Sequence, residues 1–459
     1  MTMLWTSDAI AAATGGRASA PFAVSGVTFD SREVQPGDLF IALKGEATDG
    51  HLYLDKAFVA GAAAALVSQP TPHPHVLVAD TMAGIEALGR AARARTAARI
   101  VGVTGSVGKT STKEALRQAL ARSAPGAVHA SVKSYNNHTG VPLSLARMPA
   151  ASRYGVFEMG MNHAGELAAL TAMVRPHVAI VTWVASAHRA FFATEEAIAD
   201  AKGEIFSGLE PGGTAVIPFD NPHRDRLIRH AEAHAGRILT FGSGAGADVR
   251  ATHVGRGRAG LTSVQAEVVD RSLTFSIGLP GAHWVSNALA VLAAVHALGG
   301  DLAAAGLALA DMQGLPGRGA RRQARLPGGG AALLIDESYN ANPASMAAAL
   351  AVLGETAAAG KKIALLGSMR ELGETSDAFH AALAEPLIAS GASHAVLVGD
   401  EMAPLAAALN GKLSAVHLPD ADKALQIVRA LIADGDVLLV KGSNALGLGR
   451  VVDALEGEN

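Results

Sequence analysis

The sequence predicts an α/β protein of three domains. A small α/β domain is expected over residues 1–98, and a central parallel-sheet domain with a phosphate-binding loop and an antiparallel appendage over 99–314. A Rossmann-like domain is expected over 315–459. Three observations carry that prediction. At 459 residues the chain is too long for one core, since a domain averages roughly 150 residues. Short apolar runs alternate with helical stretches, the rhythm of parallel βαβ units. A glycine-rich segment at 102–110 lies between a strand-like and a helix-like run, where a phosphate-binding turn belongs.

In the first domain, residues 24–29 read as a strand, Pro36-Gly37-Asp38 as a turn and 39–43 as a second strand. Residues 61–67 and 76–79 repeat a helix-then-strand rhythm across the stiff loop Thr71-Pro72-His73-Pro74-His75, and an Ala/Arg-rich helix over 85–98 closes the unit. The second domain opens with a buried strand at 100–103, the glycine-rich loop and a helix over 110–120. Further strands are expected at 155–158, 178–184 and 214–217. From 248 to 279 the pattern changes to alternation with short turns, as in Ser272-Leu273-Thr274-Phe275-Ser276-Ile277, and predicts antiparallel strands before a helix over 282–298. Leu315-Pro316-Gly317-Arg318-Gly319 reads as a linker. The apolar runs 332–336, 362–367, 395–399 and 436–441 then describe a second doubly wound unit.

Composition narrows the function. Lys plus Arg number 38 and Asp plus Glu 41, a formal net charge of −3. That balance excludes binding to nucleic acid through a broad basic surface, and a polybasic membrane anchor. With 49% apolar and 17% charged residues the chain can bury a large core. Cysteine is absent, which removes disulfides, thiolate metal sites and a cysteine nucleophile. The most apolar window, 288–298, is too short to span a bilayer. Residues 1–10 include Asp8 and lack the pattern of a secretory signal, so a cytoplasmic protein, expected to be a monomer, is read.

The segment Gly102-Val103-Thr104-Gly105-Ser106-Val107-Gly108-Lys109-Thr110 carries the most chemistry. Glycines let backbone N–H groups turn toward phosphate oxygens, and the helix N-terminus adds partial positive charge. Lys109 suits the β/γ oxygens, and Thr110 can offer its hydroxyl to Mg2+. Thr104, Gly105, Ser106, Val107 and Gly108 complete the expected ATP-binding loop. The spacing is a variant, because Val103 stands six positions before the lysine where a glycine is usual. An ordinary glycine-rich βα turn is the bland reading, and the strand, Gly-Lys-Thr and helix in sequence argue against it. Such a loop does not choose among GTPase, kinase, motor and ligase.

This variant loop resembles that of the Mur ligase family, ATP-dependent amide-forming enzymes of peptidoglycan synthesis. Asp30-Ser31-Arg32, Pro36-Gly37-Asp38-Leu39-Phe40-Ile41-Ala42-Leu43 and Asp49-Gly50-His51 are similar to the family's N-terminal substrate domain. Asn136-Asn137-His138-Thr139-Gly140-Val141-Pro142-Leu143 resembles its loop between nucleotide and substrate. Glu158-Met159-Gly160-Met161-Asn162-His163, Asp336-Glu337-Ser338-Tyr339-Asn340-Ala341-Asn342-Pro343 and Lys441-Gly442-Ser443-Asn444 resemble the branch that adds D-alanyl-D-alanine to UDP-MurNAc-tripeptide. The Asp-Asn-Pro-Arg tetrapeptide of the diaminopimelate-adding branch is missing. The resemblance is collinear with all three domains. It implies ATP, two Mg2+ ions and an acyl-phosphate intermediate.

The resemblance also implies roles. Glu158 on residue type alone suits a metal ligand or an ion-paired cap; the resemblance favours Mg2+, shared with Thr110. His188, in Ala185-Ser186-Ala187-His188, would otherwise be a surface histidine; the matched context implies a second metal ligand. The following residues 189–192 depart from the family form. Lys202 matches a lysine that family members carry carbamylated, a modification that needs a neutral amine; its bland reading is a solvated helix lysine. Asn287 matches a position near adenine, with Trp284 replacing the more usual Asn. Arg318 matches a linker arginine that reaches the ATP phosphates. Asp336, Tyr339 and Asn340 are expected at the nucleotide. Ser31 and Arg32 are expected at the UDP moiety, with Lys44 and His51 as weaker candidates. Asn136, Asn137, Thr139 and Asn342 are expected at substrate. Nucleotide groups on two domains imply that the last domain rotates about 315–319 to bring Asp336 toward Lys109. The diaminopimelate- or lysine-adding branch is the nearest rival. A non-catalytic nucleotide switch is a minor one, because no Asn-Lys-x-Asp guanine-reading loop is present.

Overall fold

The computed structural model describes residues 3–45, 48–186, 189–257, 261–326 and 329–457. Three large sheets organise them, beside a two-stranded one that pairs Trp5–Thr6 with Ala23–Val24. The first has the order Arg17–Ala18, His75–Leu77, Ala64–Val67, Asp38–Ile41, Gly26–Thr28, parallel apart from its Arg17–Ala18 edge. Its period-two pattern sends Leu39 and Ile41 to one face, against Ile85 and Leu88 of the helix Thr81–Ala94. Phe40 goes to the other face with Leu54 and Val67.

The central sheet has nine strands. The parallel part runs Val128–Ala130, Tyr154–Glu158, Arg99–Thr104, Val178–Val181, Thr214–Pro218, Arg237–Gly242, Val249–Arg256. Thr262–Val268 and Arg271–Ile277 then continue it antiparallel, which is the expected appendage. Both faces are buried, as parallel sheets require. Val101, Val103, Val156 and Ile180 pack under the helices Lys109–Ser123, Ala282–Ala297 and Leu302–Ala310. Ile100, Phe157, Ala179 and Val181 pack under Glu166–Val174, Glu195–Gly203 and Arg224–Glu232. The phosphate-loop strand Arg99–Thr104 therefore sits mid-sheet, and its neighbours Tyr154–Glu158 and Val178–Val181 deliver their C-terminal ends beside it. Such a crevice is where open α/β sheets bind ligands.

The third sheet is Ala320–Arg325, Ala331–Glu337, Val437–Lys441, Lys362–Gly367, His394–Val398, Ser414–Leu418, parallel except for its Ala320–Arg325 edge. The strands Ala331–Glu337 and Val437–Lys441 end at Glu337 and Lys441, both on the wall of the main cavity.

The linker departs from expectation. It is pinned, not free: Gly317 N–H donates to Asp336 Oδ2 (2.6 Å), Gly319 N–H to the Asp336 carbonyl (2.9 Å) and Tyr339 N–H to the Gly317 carbonyl (3.1 Å). The first two domains are also clamped. Arg93 is buried at 6% exposure and donates to the carbonyls of Val174 and Arg175 (2.8 Å each) and to Glu210 Oε1 (3.0 Å).

Candidate functional site

The phosphate loop is shaped by its glycines and stapled from behind. Gly105 has φ +152°, and a Cβ there would lie 2.0 Å from Thr182 Oγ1. Gly108 has φ +82° and faces Asn287 Oδ1, which a Cβ would meet at 2.7 Å. Neither place admits a side chain. Ser106 N–H donates to the Trp183 carbonyl (2.7 Å), and Ser106 Oγ to that of Ala185 (2.9 Å). The helix Lys109–Ser123 begins at Gly108 without a side-chain cap, so its first N–H groups are left for an anion.

Around the helix start, oxygen ligands converge. Thr110 Oγ1 donates to Glu158 Oε2 (2.8 Å), and Asn136 Nδ2 donates to Glu158 Oε1 (2.7 Å). Glu158 is 1% exposed. Ser134 Oγ lies 3.4 Å from Thr110 Oγ1 and accepts from the Arg318 guanidinium at 3.1 Å. Arg318 in turn stacks on Tyr339, 4.1 Å from the ring centroid. A buried carboxylate with two hydroxyls beside a phosphate loop is a hard-oxygen set that suits Mg2+.

Cations gather behind these oxygens. Lys109 Nζ donates to the Gly105 carbonyl (2.7 Å). Burial pushes its pKa down, against the charges of Glu158 and Glu371 that favour its ionised form. Lys113 is also depressed by burial, and its Nζ holds the carbonyls of Ser131 (2.7 Å) and Lys133 (3.1 Å). Lys202, 1% exposed, lines the cavity. Its pKa lies well below the usual lysine value, through burial first and the nearby Lys109 second. Adjacent desolvated cations are a site built for a polyanion.

The last domain closes the cavity, which has a volume of about 1110 Å³. Asn342 caps the helix Pro343–Glu355, accepting from Ser345 N–H at 2.9 Å, and its Nδ2 reaches the Ser106 carbonyl at 3.4 Å. Lys441 Nζ donates to the Asn340 carbonyl (2.8 Å) and pairs with Glu337 at 3.8 Å. His283 lies beside Lys441, and burial with that charge holds its pKa at about 4, so it is neutral.

The structure brings together on this wall Ser106, Val107, Gly108, Lys109, Thr110, Asn136, Glu158, Lys202, Asn287, Arg318, Tyr339, Asn340 and Asn342. Trp284 lines it too. Other expected residues go elsewhere. Thr104 is fully buried at the strand end and, with Gly105, stands behind the loop. Asp336 departs from its expected nucleotide contact: its carboxylate is taken up by Gly317 N–H, Ser338 N–H (3.2 Å) and Ser338 Oγ (2.6 Å), and Glu337 is the acid that lines the cavity. Alternation along the strand end explains the swap. Asn137 accepts from Thr139 Oγ1 and from Gly140 N–H (both 2.9 Å), so both residues serve the start of the helix Gly140–Ala146 and do not line the cavity.

Ser31, Arg32, Lys44 and His51 lie in the first sheet domain, outside the cavity lining. Arg32 is exposed and forks onto Asp30 (2.9 and 2.6 Å). His51 is structural: its Nδ1 bonds Asp49 (2.6 Å) and its Nε2 accepts from Ser68 N–H (3.0 Å). Lys44 is exposed and bridges to Asp49 through its backbone. His188 lies outside the described residues. Ser134, Lys113, Glu337, Lys441 and Glu371 were not singled out as site residues from sequence. Lys441 stood in a matched segment, whereas Ser134 and Lys113 had no signal of their own.

A phosphate loop at a sheet crevice, facing a Rossmann-like lid domain, defines a nucleotide-using α/β enzyme architecture. The chain matches the Mur ligase family catalytic domain over 23–100, the Mur ligase middle domain over 103–295 and the Mur ligase glutamate ligase domain over 321–444. It belongs to the Mur ligase family. It is 36% identical over 449 residues to the UDP-N-acetylmuramoyl-tripeptide–D-alanyl-D-alanine ligase of Escherichia coli, with 95% of each chain covered. The crystal structure of MurF from Acinetobacter baumannii superposes with TM-score 0.84 at 30% identity over 100% of both chains. MurF from Thermotoga maritima, solved in complex with ADP, gives TM-score 0.76 at 29% identity, covering 94% of this chain and 97% of that one.

Proposed function

We propose that this protein uses ATP to join D-alanyl-D-alanine to the terminal carboxylate of UDP-MurNAc-tripeptide, in the cytoplasm. The observation that carries the reading is one cavity shared by the phosphate loop and the Tyr339–Asn342 segment, in a chain whose near-full-length relatives are UDP-N-acetylmuramoyl-tripeptide–D-alanyl-D-alanine ligases. Residues 1–98 hold the UDP end, with Ser31 and Arg32 as contacts; 99–314 hold ATP; 315–459 receive the dipeptide.

A carboxylate must be activated before an amine can displace oxygen from it, and γ-phosphoryl transfer does this by forming an acyl phosphate. Lys109, Arg318 and the N–H groups at 106–110 neutralise charge on the moving phosphoryl group. Asn287 and Trp284 flank the adenosine end. Thr110 and Glu158 would hold one Mg2+ ion, and His188 with a carbamylated Lys202 a second. Mg2+ supplies charge neutralisation at the phosphates. The closed last domain keeps water from the acyl phosphate.

The acceptor decides between this reading and its nearest rival. Phosphate release from Mg-ATP is expected with UDP-MurNAc-tripeptide plus D-alanyl-D-alanine. It is not expected with UDP-MurNAc-dipeptide plus diaminopimelate or lysine. Release with the second pair alone would move the protein to another branch of the family.

A further inference from the structure

Four consecutive residues tie the three domains together. Lys133 Nζ pairs with Glu33 of the first domain. Ser134 Oγ accepts from Arg318 of the last domain's linker (3.1 Å) and lies 3.4 Å from Thr110 Oγ1 of the phosphate loop. Tyr135 Oη donates to Glu33 Oε2 (3.1 Å), and its ring centroid is 5.5 Å from that of Phe29. Asn136 Nδ2 holds Glu158, and its carbonyl accepts from Gly160 N–H (2.7 Å). Glu33 thus uses both carboxylate oxygens to grip the residues on either side of Ser134.

This segment needs holding. It follows the short strand Val128–Ala130 and precedes the helix Gly140–Ala146, so no ladder fixes it. Lys133 is one of four non-glycine residues with positive φ among those described, at +51°. Such a backbone persists where its surroundings over-determine it. Here those are Glu33 on the side chain and Lys113 Nζ on the carbonyl (3.1 Å). The Lys133 side chain is 64% exposed, so its ion pair alone contributes little, and the Tyr135 bond carries more of the grip. The contact between the first two domains does not depend on Glu33. Trp5 Nε1 donates to the Ala146 carbonyl (2.8 Å), and Arg93 clamps residues 174 and 175. Loss of the carboxylate should therefore loosen residues 133–136 and leave the domains docked.

We propose that Glu33 is a positioning residue for phosphoryl transfer: by holding Lys133 and Tyr135 it fixes the Ser134 hydroxyl where Thr110 and Arg318 meet. This rests on the ligase reading above. Glu33 lies outside the cavity lining, whereas Ser134, Thr110 and Arg318 all belong to it. The first domain so contributes to the geometry of the phosphate site through a residue that touches neither nucleotide nor metal. A small displacement of Ser134 would release Arg318 from the place where it meets the phosphates.

Glu33→Ala is expected to lower kcat by about 10- to 100-fold, the scale of a lost hydrogen bond to a charged group. KM for UDP-MurNAc-tripeptide should stay unchanged. Glu33→Gln keeps an acceptor for Tyr135 and loses only an exposed ion pair, so it should cost at most about 3-fold. Combined with Ser134→Ala, Glu33→Ala should add nothing to the loss that Ser134→Ala causes alone. In the ligand-free protein, Glu33→Ala should speed amide exchange at Gly160, whose N–H is held by the Asn136 carbonyl. A raised KM with kcat unchanged would make Glu33 a substrate contact and overturn the assignment. So would losses that multiply in the double variant, or exchange at Gly160 equal to the parent's. Absence of D-alanyl-D-alanine-dependent phosphate release in the parent protein would instead sink the ligase reading itself, and the assignment with it.

Discussion

Lys109→Ala is expected to lower product formation by about 10³-fold or more, the scale of losing a cation that neutralises a transferring phosphoryl group. The fold should survive. Lys109 Nζ makes its hydrogen bond to the Gly105 carbonyl within its own loop, and burial already disfavours its charged form. Truncation thus removes a desolvated cation, and the melting temperature should equal or exceed that of the parent. The loop keeps its shape through Ser106, Thr182 and the two glycines, none of which needs the lysine. Measuring phosphate release and thermal unfolding on one preparation checks both halves. Full activity in the variant would remove Lys109 from the phosphate-binding role.

The second large effect concerns Lys202. Burial and the neighbouring Lys109 hold its pKa well below the lysine value, so a neutral amine is available to CO2. Carbamylation would place an anion beside Lys109, where an ammonium would be repelled. Carbon-13 bicarbonate should therefore give a carbamate NMR signal in the parent protein that Lys202→Arg lacks. Activity in that variant should fall by about 10²-fold. Stripping CO2 from the buffer should slow the parent reversibly. No carbamate signal, with activity indifferent to CO2, would leave Lys202 an unmodified buried amine.

Much of the fold was legible from periodicity. The central strand at 100–103 lies within Arg99–Thr104, and the alternating stretch at 248–279 holds three strands. Strands with polar or short sequences were not. Ala320–Arg325 carries three arginines on a sheet edge, where one face meets solvent, and Val128–Ala130 has three residues, too few for a period. At the site, residues with a local motif, Lys109 and Thr110 above all, were legible as candidates and line the cavity. Those whose role depends on which way a strand end points were not: Asp336 and Glu337 are adjacent, and the pleat sends one to the linker and the other to the cavity. Ser134 becomes part of the site because the linker arginine Arg318 bonds it, a contact 184 residues apart in sequence.

The central claim is that ATP activates the tripeptide carboxylate inside this cavity. Its most direct test uses UDP-MurNAc-tripeptide labelled with oxygen-18 in the terminal carboxylate, with Mg-ATP and D-alanyl-D-alanine. An acyl phosphate whose C–O bond breaks on amine attack must carry one labelled oxygen into the released phosphate, mole for mole with pentapeptide formed. Phosphate free of label, with pentapeptide formed, would mean that the carboxylate oxygen does not leave on phosphate and that the carboxylate is not phosphorylated here.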